Sequence, residues 1–339
     1  MTGLGLSKDG RTLAALALLS ACYGPTTLPS ISGLDVRSIG KTLFVNGRPV
    51  AAERVSPGLR YAAIHPDARP NSRRFEYVGN LYYNDIAIFN YPKTNQQIGT
   101  IGNAGGAECA DALYGYGKKY FWVVDGYNKI QEYEVVRKPI KTLSVPYSYP
   151  DSCAMDTSGD LAVGIIDGSG RSTVVIFKGA SGSGIAIPTP LSSVYFLGYD
   201  NRGNLFADGF DSGGKFALAE LPKGGGKFQT ITTSNTVRFP GSVQWDGRYV
   251  TVFDQDANAL YRYTASGTHA TLRGTVEFVG SSDCAQTWIA KGLLYCADAG
   301  NNDAEVFKYP AGGAIVAVLT GNIDLPLGVT AAQKPGASV

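Results

Sequence analysis

Histidine is almost missing from this chain: there are two, His65 and His269. A histidine general acid or base, or a Ser-His-Asp triad, is therefore hard to build. Charge is scarce as well. Only 17% of residues are Asp, Glu, Lys or Arg and the net charge is +2, so no strong field draws in nucleic acid. No Cys pair has CxxC spacing, which argues against a zinc site. Long apolar runs are absent too. The run from Leu13 to Leu19 is too short to cross a bilayer as a helix, and no other segment is long and apolar enough.

What the chain has is glycine and aromatic residues: 43 Gly, 20 Tyr and 14 Phe among 339 residues, with 44% hydrophobic. Gly supplies turns that need positive φ, and Tyr and Phe favour half-buried strands. Many short strands joined by tight turns are expected. A period sets their order. Apolar strands end in Asp85, Asp125, Asp167, Asp208, Asp254 and Asp298, at intervals of 40, 42, 41, 46 and 44 residues. Each unit opens with a strand such as Pro150-Asp151-Ser152-Cys153-Ala154-Met155-Asp156. Its third strand carries an aromatic near the end: Tyr91, Tyr133, Phe177, Tyr263, Tyr309. A period this long with several strands per unit predicts an all-β fold, a six-bladed β-propeller. No opening strand precedes Phe75, and an orphan one stands at Pro326-Leu327-Gly328-Val329-Thr330. The C-terminal strand is expected to complete blade one, which removes an exposed edge.

These residues resemble NHL-type repeats: a Pro-x-Gly/Ser-x-Ala-x-Asp opening, then Gly-Asn-Leu-x-x-x-Asp, then Asn and a Val-x-x-Tyr strand. The resemblance covers residues 75–331 and is closest in blades three, four and five. It implies architecture more than activity. Propellers of this type include binding scaffolds, gluconolactonase-type lactone hydrolases and a streptogramin lyase.

The N-terminus reads differently. Lys8 and Arg11 precede the Leu13 to Leu19 run, which ends Leu19-Ser20-Ala21-Cys22. This resembles the lipobox of bacterial lipoproteins, with Cys22 as the lipidated residue; the alternatives are an ordinary signal peptide cleaved nearby and a buried N-terminal helix. The expected organisation is a signal over 1–22, a tether and strap over 23–74, the propeller over 75–331 and a tail over 332–339. In the strap, Leu43 to Val50 reads as a hairpin turning at Asn46-Gly47. Its arginines imply a solvated strap packed on the ring, or a contact with anionic lipid or glycan. Cys109, Cys153, Cys284 and Cys296 form an even set in an exported chain, so disulfides Cys284–Cys296 and Cys109–Cys153 are expected.

Ligands of a propeller usually meet the start of its innermost strands. Glu108, Ser152, Phe196, Ser242, Asp283 and Gly328 are read as equivalent there. Glu108, Asp151 and Asp283 are the candidate oxygen ligands for Ca²⁺, or otherwise carboxylates that cap turns and face water. The strand-end Asp residues are read as structural, bonding loop amides. Asp254-Gln255-Asp256-Ala257-Asn258 lacks the Gly and Glu of an EF-hand and, like Asp298 to Asp303, is read as a polar turn. Tyr147 and Tyr149, in a Pro-flanked loop, are candidates for stacking on a sugar. Three readings follow: a binding or scaffolding module of the cell envelope, a Ca²⁺-dependent lactonase-like hydrolase using Glu108, Asp151 and Asp283, or a glycan-binding module. The expected partner is an envelope protein, a glycan or a small molecule. No nucleic acid is expected, and membrane contact comes only through the lipid anchor.

Overall fold

A computed structural model describes residues 36–39, 42–45, 48–50, 75–80, 85–102, 112–116, 120–124, 129–134, 139–145, 150–166 and 172–331. The fold is all-β, with small sheets in a propeller-like arrangement. In chain order, β1 (Val36–Ile39), β2 (Thr42–Val45) and β3 (Arg48–Val50) form a three-stranded sheet. The expected hairpin is there, with Leu43 opposite Val50 and Val45 opposite Arg48. Next come β4 (Glu76–Asn80), β5 (Asp85–Asn90) and β6 (Thr94–Gly102). A four-stranded sheet holds β7 (Ala112–Tyr116), β8 (Tyr120–Val124), β9 (Lys129–Glu134) and β10 (Lys141–Ser144). Another holds β11 (Pro150–Met155), β12 (Leu161–Ile166), β13 (Ser172–Phe177) and β14 (Ile185–Pro188).

A larger sheet follows. Its first half is β15 (Ser193–Tyr199), β16 (Leu205–Phe210), β17 (Phe216–Leu221) and β18 (Gln229–Thr233). Its second half is β19 (Val243–Trp245), β20 (Val250–Asp254), β21 (Ala259–Ser266) and β22 (His269–Val279). The halves join where β18 pairs with β22 in parallel, Thr232 with His269 and Thr233 with Ala270. This parallel pairing makes the two expected units one continuous sheet. β23 (Cys284–Ala290), β24 (Leu293–Asp298), β25 (Asp303–Lys308) and β27 (Ala317–Leu319) form a further four-stranded sheet, while β26 (Gly313–Ala314) pairs with β22. Finally β28 (Pro326–Ala331) pairs antiparallel with β4, Val329 opposite Val78, and closes the sheet of β4, β5 and β6. The C-terminal strand thus covers the edge that β4 would otherwise leave open.

The core lies in layers between consecutive sheets rather than at one centre. Trp122 and Ile130 meet Met155, Leu161 and Phe177. Ala162 and Val174 meet Val194, Leu205 and Leu221. Phe206 and Leu218 meet Val250 and Val252 across the two halves of the larger sheet. Phe253 and Phe278 meet Leu294 and Phe307, and Tyr295 and Val306 meet Val78 and Phe89. Tyr77 then stacks on Phe121 at 3.9 Å. Strands packed on both faces are buried throughout, as β5 and β23 are, whereas the outer β22 alternates buried and exposed residues. The repeated aromatics Tyr133, Phe177, Tyr263 and Tyr309 are all in this core.

One unit is read in the wrong register by its sequence. Leu81 to Asp85 was expected as a second strand ending in Asp. The second strand is Glu76–Asn80, and Asp85 opens the strand after it. Asn80 takes the strand-end place, and its amide donates to Asp85 Oδ1 at 2.7 Å.

Candidate functional site

The terminal strands of the sheets pack on one another in sequence: β28 on β7, β7 on β11, β11 on β15, β15 on β19 and β23 on β28. Between β19 and β23, Gln244 Nε2 donates to Ile289 O and Ser242 Oγ accepts from Thr287 N. This set of strands is where inner-strand ligand groups were expected.

Four of these strands share a register jump, which inserts one residue opposite a single residue of the partner. The inserted residues are Asp151 in β11, Tyr195 in β15, Ala285 in β23 and Leu327 in β28. Three are apolar or aromatic and buried. Ala285 and Leu327 share a small cluster, and Tyr195 meets Phe210 and Phe239 edge-on. Asp151 alone among them carries a carboxyl. It is 5% exposed, and Oδ1 has no hydrogen-bond partner. Burial pushes its pKa up to about 8, so the folded protein presents a largely protonated acid at neutral pH. The adjacent Ser152 Oγ is also buried without a partner. It sits over Gly164, where an added Cβ would collide with it and with Val194, so this strand approach needs glycine. Asp151 and Ser152 are therefore two buried polar groups with hydrogen-bonding capacity to spare, which native interiors seldom leave unused.

The register corrects the expected set of equivalent positions. Asp283 was aligned with Ser152, but it lies two residues before its bulge, and Gln286 follows that bulge as Ser152 follows Asp151. A displaced bulge accounts for one residue of this three-residue offset: five pairs precede it in β23–β24, from Ala290–Leu293 to Gln286–Ala297, against four in β11–β12. Cys284, by the same offset, does not share the place of Cys153. Asp151 lies on β11 and Asp283 just before β23, and these two strands are not neighbours in the packing sequence. Among the described residues, the side chains that converge as potential ligands are Cys284, Cys296, Asp298 and Glu305, and neither Asp151 nor Asp283 is with them. Glu108, Tyr147, Tyr149, Cys109 and Cys22 lie outside the described residues, as do His65, Asp125, Asp167 and the tail 332–339.

The strand-end aspartates hold loops, as expected. Asp208 accepts from Phe196 N at 3.0 Å and Gly241 N at 3.2 Å. Asp254 accepts from Arg238 N at 2.8 Å, and Asp298 from Ser282 N at 2.6 Å and Asp283 N at 2.9 Å. A second aspartate series, expected only as the last residues of the opening strands, pins the hairpins. Asp156, Asp200 and Asp246 each take two backbone amides two to four residues ahead. His269 is exposed at the start of β22, just after the hairpin turn, with Thr268 Oγ1 3.2 Å from Nδ1. One expected disulfide, Cys284–Cys296, is formed, with Cα atoms 5.4 Å apart. Cys153 is buried, and burial pushes its thiol up. A disulfide fits an exported protein. Among the described residues no helix is long and apolar enough to cross a membrane.

No known family matches the chain, and no curated protein does. A solved structure does match: a functionally unknown protein from Desulfotomaculum acetoxidans, with a TM-score of 0.54 and 11% identity, covering 77% of this chain and 99% of that one. At that identity the likeness is one of fold alone.

Proposed function

We propose that this chain is an exported, NHL-like propeller of six four-stranded units that acts as a binding module, with Asp151 and Ser152 at its ligand site. The count of six rests on the nature of the join between β18 and β22. Parallel contacts of the same kind link the outer strands of other neighbours: Phe278 pairs with Gly313, and Gln96 bridges Thr320. The join is thus one of several outer stitches between units, and its two halves face each other across a core layer as other units do. Lipidation at Cys22 would place the module on the cell envelope.

The observation that carries the binding reading is the fate of the carboxylates. Those of the repeat are committed to backbone amides, while Asp151 breaks the symmetry, buried with an unpartnered oxygen. A protonated acid beside a serine hydroxyl suits a neutral, oxygen-rich ligand such as a sugar or small polar molecule, which both accepts and donates hydrogen bonds. Tyr147 and Tyr149, just before Asp151 in sequence, would add stacking faces.

The test is a thermal-shift screen of oligosaccharides and lactones against the wild type and Asp151→Asn. A ligand that binds only the folded state raises Tm. A sugar that stabilises the wild type and not the variant supports the reading. Calcium-dependent turnover of a lactone, lost in Asp151→Asn, would replace it with the hydrolase.

A further inference from the structure

We propose that the face carrying Asp298, Asp303 and Glu305 is a binding site for a hard divalent cation of the calcium type, apart from the Asp151 site. The sheet register places these acids together. Asp298 stands opposite Asp303, and Cys296 opposite Glu305, on adjacent strands β24 and β25. A carboxylate oxygen of Asp298, one of Glu305 and both sulfurs of Cys284–Cys296 all lie within 4.8 Å of one another. Among the described residues, two other aspartates of the series have no such company: Asp208 faces Leu218 and Asp254 faces Ala259.

No cationic side chain among the described residues pairs with this charge. Among the described residues the ion pairs are Lys178–Asp160, Arg238–Asp256 and Arg262–Asp246, and none reaches this group. Asp298 is satisfied by backbone amides of Ser282, Asp283, Gly300 and Asn301. Asn301 Nδ2 bridges Asp298 Oδ2 and Glu305 Oε1, both at 3.3 Å, and so fixes the Glu305 carboxyl. Glu305 is 1% exposed, and its Oε2 has no partner. Asp303 Oδ1 is likewise buried and unpartnered. In the segment that leads to Ser282, Asn258 Nδ2 donates to Ser281 O, and Asn258 Oδ1 and Ser281 Oγ are two more buried oxygens without partners. Ser281 adjoins Ser282, whose amide Asp298 holds. A buried carboxylate oxygen left without a hydrogen-bond donor is relieved either by a proton or by a cation. The donors left over are all oxygens, because both sulfurs are bonded to each other. Carboxylate, amide and hydroxyl oxygens select a hard ion, with water filling the remaining positions of calcium.

The experiment is isothermal titration of CaCl₂ into EDTA-treated, dialysed full-length protein, with a parallel thermal melt. Wild type, Glu305→Gln, Asp303→Asn and Asp151→Asn are compared. Saturable binding near one ion per chain is expected, with a higher Tm. Glu305→Gln and Asp303→Asn should each weaken it about tenfold or more, since affinity follows the number of charged ligands. Asp151→Asn should bind as the wild type does. Without calcium, both variants of the acidic face should melt no lower than the wild type, because each removes a charge that no cationic side chain pairs. Absence of calcium binding in the wild type, undiminished binding in both variants, or failure of both to fold would overturn the proposal. Calcium binding lost only in Asp151→Asn would also overturn it and would point to the inner strands.

Discussion

The Tyr309 hydroxyl donates to Asp246 Oδ2 at 2.5 Å, tying the end of β25 to the hairpin between β19 and β20. Asp246 is fully buried. It also accepts from Arg262 Nε at 2.7 Å and, through Oδ1, from the amides of Arg248 and Tyr249. The Arg262 guanidinium lies over the rings of Tyr249 and Tyr309, at 4.7 and 5.6 Å. One carboxylate thus closes a turn and welds two units. Tyr309→Phe should lose about 1.5–3 kcal/mol, the range for a hydrogen bond to a charged partner. Asp246→Ala should lose more, about 3 kcal/mol or above, because Arg262 is left without its acceptor. Urea unfolding reads both as a fall in midpoint at constant slope. Equal midpoints for wild type and Tyr309→Phe would show that the weld contributes nothing.

The Cys284–Cys296 bridge spans 12 residues of sequence inside a layer with Leu294, Phe278 and Phe307. A closed loop of that size stabilises by about 3 kcal/mol in the chain-entropy account. The double variant Cys284→Ala, Cys296→Ala should therefore unfold at a clearly lower urea midpoint. Adding a dithiol reductant to the unfolding series should bring the wild type towards the variant and leave the variant where it is. A wild type insensitive to reductant even when unfolded would rule the bridge out.

The architecture was legible in the sequence where local chemistry decides it. The Asp-ended strands, the Gly and Asn turns and the lone opening strand at Pro326 all have short-range signals, and β28 pairs as that lone strand demands. The cysteine pair was legible as a hairpin contact. Its geometry was not: Cys284 faces Asp298 and Cys296 faces Thr287, so the bridge runs diagonally beside the Ala285 bulge. Register failed wherever a buried charge or a bulge intervened. Glu76 is fully buried inside β4, which no apolar alternation announces, and the strand was therefore placed five residues late. The candidate sites were the least legible part. That Asp151 lacks a partner, or that Glu305 is buried against Asp298, depends on which strands arrive from far along the chain.

Closure by β28 makes a sharp prediction. Its residues Leu327, Val329 and Ala331 are buried, and Val329 N donates to Gln286 Oε1 at 2.9 Å across the neighbouring sheet. A chain truncated before Pro326 would expose the β4 edge and part of the layer holding Val78, Phe89 and Tyr295. That edge is a template for intermolecular pairing. The truncated protein should lose its near-ultraviolet circular dichroism and elute as aggregate in size-exclusion chromatography. Adding the peptide 326–339 in excess should restore monomer if strand pairing is the only loss. A monomeric, cooperatively melting truncation would mean that the ring holds without its closing strand.

Asp151 should leave a mark on the pH dependence of stability. Its folded pKa is raised from 3.8 to about 8 by burial, so between those values the folded chain keeps a proton that the unfolded chain releases. The associated stability is fully present below about pH 4 and declines as pH rises through about 8. Asp85, Asp303 and Glu305 are raised too, to about 6, 6 and 7, and act in the same direction. In EDTA, the wild type should therefore lose stability from about pH 4 to about pH 8, and these groups should add little further loss above that. Asp151→Asn cannot ionise, so its curve should be shallower and should cross above the wild type towards pH 9, with the remaining slope left by the other three acids. Urea midpoints taken at each pH give both curves. Parallel curves would mean that Asp151 ionises in the fold as readily as in the open chain, so that some group already answers its charge. The case for a ligand at Ser152 and Asp151 would then lose its main support.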